Sequence, residues 1–121
     1  MKKTLLALAL VVGLPVAAQA QDAEAGKAVF AVCKACHQVG EGAKNAVGPV
    51  LNGVVGRKSG TAADFTYSEA MKNANLTWDE ANLAEYIANP KTKVPGNKMV
   101  YAGQKDEQKL KDLIAFLKTN P

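Results

Sequence analysis

The sequence predicts an all-α fold of three to five helices joined by long loops. Three observations lead there. Apolar residues recur at helical spacing in separate segments, each opened by a residue able to cap a helix. No segment alternates apolar and polar residues with the period of two that a half-buried strand requires. Glycine and proline concentrate in two stretches, 40–60 and 91–103, which marks both as loops. The chain has 121 residues, 48% hydrophobic and 21% charged, which suits one globular domain and argues against disorder or a second sizeable core.

The first element is expected to be absent from the fold. Lys2 and Lys3 precede an apolar run over 5–14, Pro15 breaks it, and Ala18-Gln19-Ala20 follows as a small-residue cleavage site. This is the layout of a secretory signal peptide. The run falls short of the roughly 20 apolar residues that span a bilayer. Residues 1–20 are therefore expected to be cleaved, leaving 21–121 as the mature domain. The basic start points to bacterial export and a periplasmic destination. No later stretch is apolar enough to cross a membrane, so the mature protein is expected not to be membrane-embedded, and to be a monomer.

The helices follow in order. Asp22 can cap a first helix carrying Val29, Phe30 and Cys33 on one side and running to about residue 36. The glycine-rich stretch 40–60, with Pro49, is expected to be loop. Thr66 with Glu69, and Thr77 with Glu80, both have the capping-box spacing. They predict a short helix to about residue 74 and a longer one over Trp78 to about residue 88, stopped by Asn89-Pro90. Residues 91–103 contain Pro95, Gly96 and Gly103 without periodicity and are expected to be loop. Asp106 can cap a last helix, in which Leu110, Leu113, Ile114 and Leu117 form one apolar face. Loops this long in so small a domain usually wrap something.

The chemistry lies in Cys33-Lys34-Ala35-Cys36-His37, the C-x-x-C-H attachment site of a c-type haem. Two thiols at this spacing can each reach one vinyl group of a single porphyrin, and the adjacent imidazole can then reach the iron. Competing readings are weaker. A thioredoxin-like motif would want a surrounding βαβ pattern. A structural zinc site wants four ligands, and only three Cys or His residues exist. A plain disulfide is chemically possible but leaves His37 and the long loops without a purpose. The predicted cofactor is one haem c per chain, covalently bound through Cys33 and Cys36.

The sixth iron ligand decides what the iron does. His37 is the single histidine, so a second histidine ligand is excluded. After leader removal two methionines remain, Met71 and Met99. Met71 lies in a predicted helix, where apolar packing explains it. Met99 lies in the Pro/Gly loop, where no helical face requires it, and spacing favours it. A thioether is soft, favours ferrous iron and raises the reduction potential.

These residues sit in a longer pattern. Gly26 and Phe30, Gly48-Pro49, Gly56-Arg57-Lys58, Phe65-Thr66-Tyr67, Leu76-Thr77-Trp78, Tyr86, Asn89-Pro90-Lys91, Pro95-Gly96-Asn97-Lys98-Met99 and the segment 112–117 occur in that order. Over essentially the whole mature chain the sequence resembles class I cytochrome c, in the bacterial cytochrome c2 branch that is similar to mitochondrial cytochrome c. The resemblance implies a small cytochrome c fold wrapping one haem. It implies His37 and Met99 as axial ligands, the Pro49 carbonyl as acceptor for the second ring N–H of His37, and Arg57, Tyr67 and Trp78 at the haem propionates. It implies Tyr86 with its hydroxyl near the Met99 sulfur, and Gly26 and Phe30 packed against Leu113 and Phe116. Met71 and Asn97 depart from the mitochondrial pattern, which has Asn and Thr at those positions around a buried water.

One-electron transfer is the function this implies, with iron cycling between Fe(III) and Fe(II) and no substrate transformed. A five-coordinate haem enzyme or gas sensor is the alternative; ligation by Met99 would refute it. A haem-free binding module held by a disulfide is a further alternative. The resemblance names a cytochrome bc complex as donor and a terminal oxidase or photosynthetic reaction centre as acceptor. Removing Lys2 and Lys3 with the leader lowers the net charge from +4 to +2, so a nucleic-acid role has little support. The charges are segregated. Lys91, Lys93, Lys98 and Lys105 occupy an acid-free stretch around Met99, whereas Asp64, Glu69, Asp79, Glu80 and Glu85 cluster before it. The four lysines are the expected docking residues for an acidic partner site.

Overall fold

The computed structural model describes residues 9–13 and 21–121. The expected leader lies outside the described residues except for 9–13, where Leu10, Val11 and Val12 are exposed. Helix α1 spans Ala23–Phe30, α2 Glu69–Lys72, α3 Glu80–Ala88, α4 Pro90–Lys93 and α5 Glu107–Lys118. Among the described residues the one β feature is an isolated bridge between Lys58 and Thr77.

Asp22 caps α1 as its position predicts, accepting the N–H groups of Glu24 at 3.0 Å and Ala25 at 3.2 Å. Such a cap contributes about 1 kcal/mol. The expected α-helix to residue 36 is corrected: α1 ends at Phe30 and tightens into a 3-10 turn over Ala31–Ala35. The tighter winding lets one carbonyl, that of Cys33, accept the N–H groups of both Cys36 (3.1 Å) and His37 (2.8 Å). The whole C-x-x-C-H segment is thereby gathered at one helix end.

Helix α5 lies across α1. Asp106 caps it by accepting the Lys109 N–H at 2.9 Å, and Leu110, Leu113, Ile114 and Leu117 are buried. The crossing is a backbone contact, since a Cβ on Gly26 would lie 1.8 Å from the Asp112 carbonyl oxygen. Only glycine permits that approach. Phe30 and Phe116 pack beside it at a tilt of 44°, with ring centroids 5.2 Å apart. The buried Asp112 carboxylate closes the joint by accepting the Asp22 N–H at 3.0 Å and the Gln108 amide at 2.9 Å.

Two caps differ from the sequence expectation. Ser68, not Thr66, starts α2, its hydroxyl accepting the Met71 N–H at 3.1 Å, and the helix is a single turn. Asp79, not Thr77, starts α3, with its carboxylate on the Asn82 N–H at 2.7 Å. Thr77 instead bridges to Lys58, so its backbone is extended where a cap would begin. The expected loop 91–103 also opens with helix. Pro90 stands at the first position of α4, where its fixed φ suits a helix and its missing N–H costs nothing.

Trp78, Leu83, Tyr86, Val94 and Met71 join Phe30, Leu113 and Leu117 in one core. Each such burial stabilises by about 1.5–3 kcal/mol. The core is not closed on itself; it forms the walls of a cavity.

Candidate functional site

The cavity has a volume of about 330 Å³. Cys33, Cys36, His37, Pro49, Arg57, Tyr67, Trp78, Tyr86 and Met99 all line it. Residues separated by up to two thirds of the domain in sequence thus share one space. The cysteines enter from the 3-10 turn, His37 and Pro49 from the segment after it, Tyr86 from α3, and Met99 from the loop after α4.

On one side, His37 Nδ1 lies 2.8 Å from the Pro49 carbonyl oxygen. Nδ1 is the donor in this contact, because a carbonyl only accepts. Nε2 then carries the lone pair. Burial holds the imidazole below its usual pKa, the Pro49 bond opposes this, and the Arg57 charge adds to the lowering. The net result favours the neutral, electron-donating ring. Gly48 forms the cradle: a Cβ there would lie 2.4 Å from His37 Cε1. The Gly48 N–H is itself tied to the Cys36 carbonyl at 2.8 Å.

On the other side, the Tyr86 hydroxyl donates to the Met99 sulfur at 3.8 Å. Asn97 holds the Met99 segment. Its amide donates to the carbonyls of Pro90 at 2.9 Å and Val94 at 2.8 Å, and its oxygen accepts the Met99 N–H at 2.8 Å. Burial raises the Tyr86 hydroxyl to about 12, so it stays a donor through neutral pH. Met71 is buried and also lines the cavity. Among the described residues no hydroxyl donates to its thioether as Tyr86 does to that of Met99, while its own N–H is capped by Ser68.

The polar groups at the rim are only partly satisfied. Arg57 Nη1 donates to the carbonyls of Val50 and Asn52, each at 3.2 Å, but Nε is buried without a partner among the described residues. The Tyr67 hydroxyl accepts the Ala62 N–H at 2.9 Å and keeps its own proton to donate. The Trp78 and Tyr86 rings pack at a tilt of 41° with centroids 5.0 Å apart. Both cysteines are free thiols, and burial followed by the neighbouring Cys36 pushes the Cys33 thiol up.

This donor set suits a haem. It combines two thiols, an imidazole with one nitrogen committed and one free, a thioether, an apolar slot and an unpartnered guanidinium N–H for an anionic group. Residues 23–121 match the sequence profile of the family described as Cytochrome c. The chain belongs to the cytochrome c family. It is 52% identical to cytochrome c2 of Blastochloris viridis over 118 residues, covering 98% of this chain and 93% of that protein. It is 58% identical to cytochrome c-550 of Bradyrhizobium diazoefficiens over 95 residues, covering 78% and 70%. Cytochrome cH from Methylobacterium extorquens has a similar structure, with a TM-score of 0.77 and 52% identity over 81% of this chain and 98% of that one. Cytochromes c of this branch are electron carriers rather than enzymes. Membership implies covalent haem c, and Cys33 and Cys36 fit the attachment motif.

The four lysines expected at the docking face differ in their surroundings. Lys93 pairs with Glu85, and the Lys105 ammonium donates to the Ala88 carbonyl and to Asn89 at the end of α3. Lys91 and Lys98 are exposed and carry no ion pair among the described residues, and Lys98 alone of the four borders the cavity. Sequence reasoning missed three exposed valines at the cavity mouth. Val100 is 100% exposed, Val47 77% and Val32 65%, an unusual cluster for apolar side chains. It also missed Tyr101, which lines the cavity beside Cys33. The valines belong to three separate segments, so no sequence window contains the patch.

Proposed function

We propose that residues 1–20 direct export to the periplasm and that the mature domain shuttles single electrons between membrane redox complexes there. In this reading His37 Nε2 and the Met99 sulfur would ligate the iron, and Cys33 and Cys36 would anchor the haem through thioethers. The bound haem supplies the redox chemistry, its iron accepting and returning one electron. The protein supplies the geometry around it. Pro49 fixes the tautomer and plane of the imidazole and raises its basicity. Tyr86 holds the Met99 sulfur and Asn97 the Met99 backbone, which would keep the thioether in place around the bound group. The free Arg57 Nε–H, the Tyr67 hydroxyl and Trp78 would meet the propionates of the bound group.

A single observation carries the reading: His37 bonded to Pro49 and Met99 bonded to Tyr86 both line the same cavity that Cys33 and Cys36 line. The five-coordinate alternative requires an open sixth position, which a Met99 ligand would fill. The match beginning at residue 23 and the A-x-A site ending at residue 20 support the leader boundary.

The docking face is the cavity mouth, with Val32, Val47 and Val100 as its apolar centre and Lys98 and Lys91 as its free charges. Redox encounters are small, below about 1,200 Å². Such a contact needs an apolar patch for close approach and charge for orientation. A cytochrome bc complex as donor, and an oxidase or photosynthetic reaction centre as acceptor, suit this face.

The test is optical. The ferric protein should show the far-red charge-transfer band of a sulfur–iron bond. Met99→Ala should abolish that band and Met71→Ala should keep it. The reverse pattern would assign the ligand to Met71. No band in the wild type would return the alternative of an open haem.

A further inference from the structure

We propose that Asn52 is a deamidation site which the fold holds dormant, and whose conversion unlatches the loop that carries Pro49. Asn52-Gly53 is the single Asn-Gly pair in the chain; every other asparagine precedes a residue with a side chain. In this dipeptide the glycine nitrogen can attack the asparagine Cγ without obstruction. The N–Cγ bond forms, ammonia leaves from Cγ, and water opens the resulting succinimide to aspartate or isoaspartate.

The glycine is required by backbone shape. Gly53 has φ +67°, in the region that favours glycine, whereas the space around it is open, with the nearest heavy atom 3.7 Å from where a Cβ would stand. The turn therefore demands the residue that makes the pair chemically weak. Both reacting groups are restrained. The Gly53 N–H donates to the Asn120 carbonyl at 2.8 Å. Asn52 Oδ1 accepts the Gly40 N–H at 2.9 Å, and Asn52 Nδ2 donates to the Gly40 carbonyl at 2.8 Å. The side-chain amide is held through both its oxygen and its nitrogen on the backbone of Gly40. Attack requires all three bonds to open together.

Conversion would be difficult to reverse structurally. A carboxylate cannot donate, so a second oxygen would face the Gly40 carbonyl where an N–H now points. The two would repel. An isoaspartate would also lengthen the backbone and draw Gly53 off Asn120. The segment between Gly40 and Asn52 holds the Leu51 N–H to Gln38 carbonyl bond at 3.1 Å and the Pro49 carbonyl that meets His37. Losing the clasp at Gly40 loosens that segment.

The experiment compares the holoprotein in buffer with the same holoprotein in urea, at one mildly alkaline pH and temperature. Tryptic peptides spanning 45–57 are followed for the one-dalton gain, with fragmentation placing it at Asn45 or Asn52. The unfolded sample should convert at Asn52 more than about tenfold faster, because three hydrogen bonds no longer have to open. Equal rates in the two samples, or a gain confined to Asn45, would overturn the proposal. Hydrogen exchange on Asn52→Asp holoprotein tests the consequence. The Leu51 amide should exchange faster than in wild type, while amides of α1 and α5 stay unchanged. Unchanged exchange at Leu51 would refute the unlatching.

Discussion

Gly48→Ala isolates the contact between the His37 ring and its cradle. The new Cβ would stand 2.4 Å from Cε1 and 2.8 Å from both ring nitrogens, where ordinary contact begins at 3.4 Å. The ring must retreat by about 1 Å, which is the scale of an overpacked core. It has little freedom to do so. Its Nδ1 bonds Pro49, the next residue after Gly48, and the Gly48 N–H bonds Cys36, the residue before His37. Pushing the ring away strains the strap that holds it. Overpacking costs about 1–3 kcal/mol, and loss of the Nδ1 bond adds about 1 kcal/mol. At about 4–8 °C per kcal/mol for a domain near this size, Tm should fall by roughly 10–30 °C. The weakened Nδ1 bond makes the imidazole less basic, which favours ferrous iron, so the reduction potential should rise. Thermal melting by circular dichroism and spectroelectrochemistry measure the two effects. A Tm within about 2 °C of wild type, at unchanged potential, would show that the ring is not confined by Gly48.

Gly26→Ala brings a Cβ to 1.8 Å from the Asp112 carbonyl and forces α1 and α5 apart. The helix-propensity gain of about 1 kcal/mol cannot offset that, and a net loss of about 2 kcal/mol or more should appear as a lower denaturation midpoint in urea. Tyr86→Phe removes the donor to Met99 with little volume change. Because the Tyr86 pKa is raised from 10.0 to about 12, the neutral hydroxyl stabilises the fold fully below pH 10, and that contribution fades as pH rises towards 12. Wild-type stability should therefore decline over that window more steeply than the variant's; parallel pH profiles by denaturant titration would contradict this. Lys98→Glu at the cavity mouth should slow electron transfer to isolated bacterial membranes more than Lys111→Glu, on the exposed face of α5. The gap should narrow in high salt, since the screening length falls from about 8 Å at physiological ionic strength to about 3 Å at 1 M. Lys118 is unsuitable as the control because it pairs with Glu80, and a rate ratio of one at low salt would remove Lys98 from the docking face.

Much of this protein was legible from the sequence because its chemistry is local. A C-x-x-C-H segment specifies haem attachment within five residues, and one histidine and two candidate methionines leave few ligand choices. Asp22 and Asp106 cap helices where their spacing indicates, since a cap depends on neighbours two and three residues away. Other decisions belong to the tertiary structure. Thr66 and Thr77 have capping-box spacing as good as that of any helix start, yet Ser68 and Asp79 take the caps. For Asp79 the reason is the bridge from Thr77 to Lys58, which sets where the extended backbone ends. Four lysines in an acid-free stretch look equivalent in one dimension. Folding brings Glu85 to Lys93 and the end of α3 to Lys105, and leaves Lys91 and Lys98 exposed to solvent. The valine patch and the Asn52 clasp follow the same rule. Each joins segments distant in sequence, so its energy depends on the packing of α1 on α5 and on the loops folded around the cavity. The sequence determined which groups could react; only the fold decided which of them meet.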